Sequence, residues 1–287
     1  MGLDLKRLVG GERSPGAVLL AGVGMVALLV TGAAAGSGLL FQPTSVHAVH
    51  VSTADLQALS QLQDYGNWSW TQKPQLQMPL SAEQAATISN LAVPKVTSLP
   101  NGVSSSVTYA ATGQASGVFT FSAAKAASFA SASGKTLPAL PAGMDGATLK
   151  VSVGGAVAEI FGEMGNGSTA TMAMPDMVVA ESSVPVVSSE QVSAVQMEDY
   201  LLSLPGVPSE LADAIKALKD PSTTLLVPVP MEYANGQDVS VQGASGVLVG
   251  DSTGVGAGVI WIKGEHLYVV AGGLKQTDVL KVANSLG

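Results

Sequence analysis

The chain has 287 residues, a net charge of −8 and no cysteine. The missing cysteine excludes disulfides, thiol catalysis and cysteine-ligated zinc. Both arginines, Arg7 and Arg13, fall near the N-terminus; the acidic remainder suits phosphate poorly, which excludes nucleic acid and anionic headgroups as expected partners.

Lys6, Arg7 and Arg13 precede an apolar run from Gly16 to Phe41. A helix rising about 1.5 Å per residue needs about 20 apolar residues to cross a bilayer, and Gly16 to Gly36 carries no charge. The expectation is a single-pass signal anchor over 16–41. The short segment 1–15 is net positive and stays cytoplasmic, and the rest lies outside the cell membrane. The alternative is a cleaved signal, with Ala17 to Val30 as its hydrophobic region and Ala33-Ala34-Ala35 as the cut, releasing a secreted protein. Leu39, Leu40 and Phe41 continue the apolar character past that cut and favour retention.

Residues 42–65 read as a stalk, with a short helix over Thr53 to Leu62. Beyond it the sequence divides into an N-terminal α+β region, 66–136, and a C-terminal α+β domain, 137–287. Asn67-Trp68-Ser69-Trp70 alternates, so both indoles share one face of a strand. They either plug the edge of the core or form an exposed aromatic pair for a glycan or protein partner. Ser81 with Gln84 forms a capping box for a helix ending by Pro94. Val103 to Ala111 and Gly117 to Phe121 read as a pair of strands, and Ala123 to Ala132 as an alanine-rich helix.

Gly154-Gly155 reads as the turn of a hairpin between Ala147 to Val153 and Ala156 to Phe161. Further strands are expected at Thr169 to Ala173 and Met177 to Ala180. Met164, Met172, Met174 and Met177 serve a core or an adaptable apolar groove. Helices follow at Glu190 to Leu202 and Ser209 to Lys219, the second with an apolar stripe of Leu211, Ala214, Ile215 and Leu218. Strands at Leu225 to Val229, Val239 to Val241 and Gly246 to Val249 lead into a hairpin. Its strands, Val259 to Lys263 and His266 to Val270, join through Gly264-Glu265. Both are apolar on both faces and so should be central, under a closing helix with Val279, Val282, Ala283 and Leu286 on its inner side.

The chemical motifs carry little. Gly250-Asp251-Ser252-Thr253-Gly254 fits the G-x-S-x-G pattern, but a nucleophile elbow needs a helix after the turn, and here glycines and a strand follow. His266 and Asp278 come in the wrong order to serve Ser252. Gly254 to Gly258 and Gly134-Lys135-Thr136 lack the context of phosphate loops. His47 and His50 would share a helical face but have no third ligand nearby. Glu159, Glu163 and Asp176 lack the spacing of a calcium loop and read as solvated, as does His266 in its turn. No catalytic, cofactor or metal residue is assigned.

Gly258 to Val270 followed by Asp278 to Leu286 resembles the end of the bacterial domain of unknown function 4367, where a Trp-bearing strand turns into a Tyr-bearing strand and then a helix. The resemblance implies an extracytoplasmic module behind one membrane helix, as in proteins similar to anti-sigma factors, and implies no catalytic residues. The 15-residue cytoplasmic segment is too short for a sigma-binding domain. The resulting expectation is an α+β protein, mainly antiparallel sheet with packed helices behind one membrane helix. It would be a non-enzymatic binding or sensory and regulatory module of the bacterial envelope, with an envelope protein as partner. A carrier of lipid or another apolar ligand is the alternative, and an exported hydrolase acting through Ser252 a lesser one.

Overall fold

The computed structural model describes residues 39–55, 64–162 and 175–287, apart from 190, 191, 193, 206, 208, 219, 233 and 253. Residues 1–38, with the expected cytoplasmic segment and most of the expected membrane span over 16–41, lie outside these, as do Met164, Met172, Met174, Glu163 and the strand expected at 169–173. Among the described residues no helix is long and apolar enough to cross a membrane.

The protein is mostly antiparallel β-sheet with helices packed against it. Fifteen strand segments are described: β1 Leu39–Phe41, β2 Ser45–Val51, β3 Gly66–Gln72, β4 Gln77–Leu80, β5 Val107–Thr112, β6 Ala115–Phe121, β7 Thr148–Val153, β8 Ala156–Phe161, β9 Met177–Ser183, β10 Val186–Ser188, β11 Thr224–Pro230, β12 Ala234–Val241, β13 Ala244–Asp251, β14 Ala257–Lys263 and β15 His266–Gly272. The helices are α1 Ala82–Ser89, α2 Ala123–Ala132, α3 Ala194–Leu202, α4 Ser209–Ala217 and α5 Gln276–Ser285. One sheet runs β12-β13-β14-β15-β9-β8-β5-β4, a second β1-β10-β7-β6-β3, and β2 pairs in parallel with β11.

The two larger sheets are halves of one system of long strands. β5 pairs β8 from Val107↔Phe161 to Thr112↔Ala156, and β6 continues on β7 at Ala115↔Val153. Three residues forward on one strand match three residues back on the other, so the register is unbroken. β8 and β7 keep their register with β9 and β10 in the same way. The segments are therefore interrupted strands, which corrects the hairpin expected at Gly154-Gly155. The glycine pair interrupts a strand, and a side chain on Gly155 would collide with the carbonyl of Ser89 at the end of α1. Pro185, with no N–H, marks the corresponding interruption between β9 and β10. The strands expected at 103–111 and 117–121 form as β5 and β6, the first beginning only at Val107, and they are not partners. The same pairing joins the regions expected to divide at 136/137.

The expected stalk is also corrected. Val46, Val49 and Val51 of β2 are buried in the main core, beside Leu40 and Phe41 of β1. Parallel pairing with β11, 179 residues on from Thr224↔Ser45 to Pro230↔Val51, turns this apolar stretch into structure. No local pattern carries such a pairing. The last three residues of the expected membrane span thus form a strand on β10.

Three apolar clusters hold the fold. The main core gathers β1, β2, β6, β7, β11, α3 and α4 around Phe121, Leu149, Ile215 and Leu225. Its ring contacts include Phe121 on Tyr200 at 5.5 Å, edge to face. A second cluster lies under α5, whose Val279, Val282 and Ala283 are buried against Val259, Trp261 and Val270. The closing hairpin, central in its sheet and covered by this helix, forms as its two-sided apolar pattern predicts. A third, smaller cluster joins α1 to Ala111 and Val157. Ser81 and Gln84 make the expected capping box on α1, and the helix ends ahead of Pro94 at Asn90, which is in the left-handed region at φ 56°.

Candidate functional site

Two features of the described residues are not explained by packing. The first is the edge strand β3. It lies last in its sheet, next to β6, and carries Trp68 and Trp70, which are 37% and 45% exposed. Their rings meet edge to face at 5.2 Å, on one face as alternation requires. The indole of Trp68 lies over Gly117, where any side chain would collide with it. Of the two alternatives, core plug or exposed pair, the structure has the exposed pair.

The backbone direction of β3 follows from its neighbours. Both main-chain groups of Phe121 are engaged away from β3, its N–H with Ala147 and its carbonyl with Gly146. Ser122 N–H donates to the Tyr65 carbonyl at 3.0 Å. Since Gly66 stands opposite Phe121, Tyr65, Asn67 and Ser69 turn their main-chain groups toward β6, and Gly66, Trp68 and Trp70 turn theirs outward. At one end Lys125 Nζ donates to the Gly66 carbonyl at 3.0 Å. At the other, the register shifts between Trp70 and Gln72, and Lys73 and Pro74 follow. Trp68 and Trp70 thus present the open part of the edge together with both indoles.

The second feature is a row of ionisable groups inside the larger sheet. Glu159 on β8 lies between the cluster under α1 and the cluster under α5, flanked by Tyr109 and Val179 on the neighbouring strands. It is 7% exposed, and its Oε2 has no hydrogen-bond partner among the described residues. Burial pushes its carboxyl up to about 7. One register step away, Glu181 stands opposite Tyr268 on β15. Its Oε1 is 2.8 Å from His266 Nδ1, and Tyr268 also hydrogen-bonds it. Burial pushes the Glu181 carboxyl up, while His266 and Tyr268 pull it back. Tyr268 stacks on Trp261 at 5.2 Å, and the buried Trp261 Nε1 has no partner among the described residues.

Glu159 is therefore buried, which corrects the expectation of a solvated face, while His266 keeps a side chain 40% exposed at the start of β15 and turns its Nδ1 to Glu181. The available signal was a carboxylate within each apolar strand, Ala156 to Phe161 and Met177 to Ala180 with Glu181 following. The sequence does not show that both strands share one buried face.

The remaining candidates have structural places. Asp251 accepts the N–H groups of Val255 and Gly256 at 3.1 and 2.9 Å, fixing the β13–β14 loop that contains Ser252. The strand β14 follows, with no helix, and His266 lies at the far end of β14, about 20 Å along the strand. Gly134 ends α2 in the left-handed conformation, with Lys135 N–H bonded back to the Ala130 carbonyl at 2.8 Å. His47 and His50 are on a strand, where residues three apart point to opposite faces, so they do not converge. His47 instead pairs with Asp238 at 2.5 Å. Asp176 accepts Ser104 N–H at 3.0 Å. Among the described residues no group of three His, Cys, Asp or Glu side chains is placed to hold a metal.

A half-open cavity of about 300 Å³ lies beside β1, lined by Leu39, Phe41, Thr44, Val184 and Thr223 among others. Comparison with protein-family models, characterised proteins and solved structures finds no match to this chain.

Proposed function

We propose that the protein is a membrane-anchored, non-enzymatic binding module of the bacterial envelope that recognises its partner through the open edge of β3. The observation that supports it is the exposed Trp68–Trp70 pair on outward-facing backbone. Large aromatic side chains left in water beside N–H and C=O groups that have no partner among the described residues are costly for a protein that has no use for them. The anchor over 16–41, with the C-terminal part outside the cell membrane, rests on the apolar run and on the cations before it. Kinship with the bacterial domain of unknown function 4367 belongs to the same proposal and rests on the pattern of Gly258 to Val270.

Carriage of an apolar ligand is the second reading. It has in its favour the cavity beside Leu39 and Phe41, whose volume is at the lower end for a small-molecule site. Native mass spectrometry of the full-length protein, extracted gently from its own membrane, separates the two. An intact N-terminus with an additional protein mass, absent from a Trp68→Ser/Trp70→Ser variant, supports the binding module. A lipid mass carried equally by both forms, with cleavage near Ala35, would overturn it in favour of a secreted carrier.

A further inference from the structure

We propose that the partner at this edge is a second copy of the chain, paired antiparallel through β3 with Ser69 opposite Ser69 and each Trp68 opposite the other copy's Trp70. The inference rests on the reading of β3 as a recognition edge and names its occupant.

Three observations point to self-pairing. The open part of the edge is short and framed. Lys125 holds the Gly66 carbonyl at one end, and the register shift after Trp70 closes the other. What remains is two residues with four outward main-chain groups, symmetric about Ser69. A two-fold axis through Ser69 satisfies all four, Trp68 of each copy exchanging both hydrogen bonds with Trp70 of the other. A longer foreign strand would meet the lysine or the shifted register.

The side chains agree with this axis. A two-fold axis perpendicular to the sheet keeps the indoles of both copies on one face. Two exposed pairs become one cluster of four tryptophans, with aromatic residues directly across the new ladder. Lys73 follows β3 and the exposed Asp64 precedes it, so the same axis sets the basic end of each copy's strand toward the acidic start of the other. The segment 64–73 is acidic at its start and basic at its end, so antiparallel self-pairing matches unlike charges twice. Parallel pairing would set like charges together.

The chain's lack of cysteine makes the test direct. In the proposed dimer Ser69 occupies a non-hydrogen-bonded pair, with its Cα about 4.5 Å from its counterpart, within reach of a disulfide. Full-length Ser69→Cys is oxidised mildly and compared with Asn101→Cys, an exposed control in a turn. The expected result is a disulfide dimer formed at least tenfold faster from Ser69→Cys, and slowed to the control rate when Trp68→Ser and Trp70→Ser are added. Equal rates for the two cysteines, or no effect of the tryptophan changes, would overturn self-pairing. Sedimentation of the untagged protein gives the independent reading, with a dimer expected for wild type and a monomer for Trp68→Ser/Trp70→Ser. If wild type is monomeric yet native extracts carry a foreign protein or glycan that this double variant loses, self-pairing fails while the recognition edge stands.

Discussion

The indole of Trp68 fills the space that a side chain on Gly117 would need, so the absence of one side chain on β6 sets the pose of an exposed aromatic ring on β3. Gly117 stands opposite Trp70 in the register, and the two indoles meet over it. Gly117→Val therefore forces Trp68 outward. The expected outcome is a red-shifted tryptophan emission and a stability loss of roughly 1–3 kcal/mol, read by fluorescence during urea unfolding. An unchanged spectrum would mean that the indole is not held there.

Glu159 makes stability depend on pH with a definite sign. Its folded value of about 7 lies above its ordinary 4.5. Between those values the folded state keeps a proton that the unfolded chain has lost, so stability falls as pH rises through this window and levels off above it. The full cost is roughly 3 kcal/mol. Glu159→Gln is expected to be more stable than wild type at pH 8 and close to it at pH 4.5, by urea midpoints. A difference that does not change with pH would contradict the assignment.

Gln242 latches the closing helix. It sits in the β12–β13 turn at φ 51°, and its Nε2 donates to the carbonyls of Ala283 and Leu286 at 2.9 and 2.7 Å. Its Oε1 accepts from Lys263 Nζ at 2.8 Å. Gln242→Ala removes the groups that satisfy the C-terminal carbonyls of α5. A loss of about 1–2 kcal/mol is expected, with faster amide exchange confined to the end of α5.

What the sequence revealed depended on how local the cause was. The capping box of Ser81 and Gln84, the Gly264-Glu265 turn and the covered hairpin around Trp261 follow from neighbouring residues, and all are present. Gly154-Gly155 is ambiguous in the sequence because a glycine pair serves equally as a hairpin turn or as an interruption in a strand. Only the pairing of β6 with β7 decides between them. The strand at Ser45–Val51 depends on a partner 179 residues away, and its apolar residues fit a stalk poorly only once that partner is known. The Glu181–His266 contact was hidden for the same reason. The tryptophan pair was legible as a shared face, while its exposure depends on β3 being an edge.

Residue-resolved amide exchange along β3 tests the central claim most directly. In dilute protein Asn67 and Ser69, bonded to β6, should exchange slowly, while Trp68 and Trp70 exchange fast. As concentration rises and the edge is occupied, Trp68 and Trp70 should become protected without change at their neighbours. Trp68 and Trp70 amides already protected at high dilution, or still unprotected at every concentration and in native extracts, would contradict an open edge used for recognition.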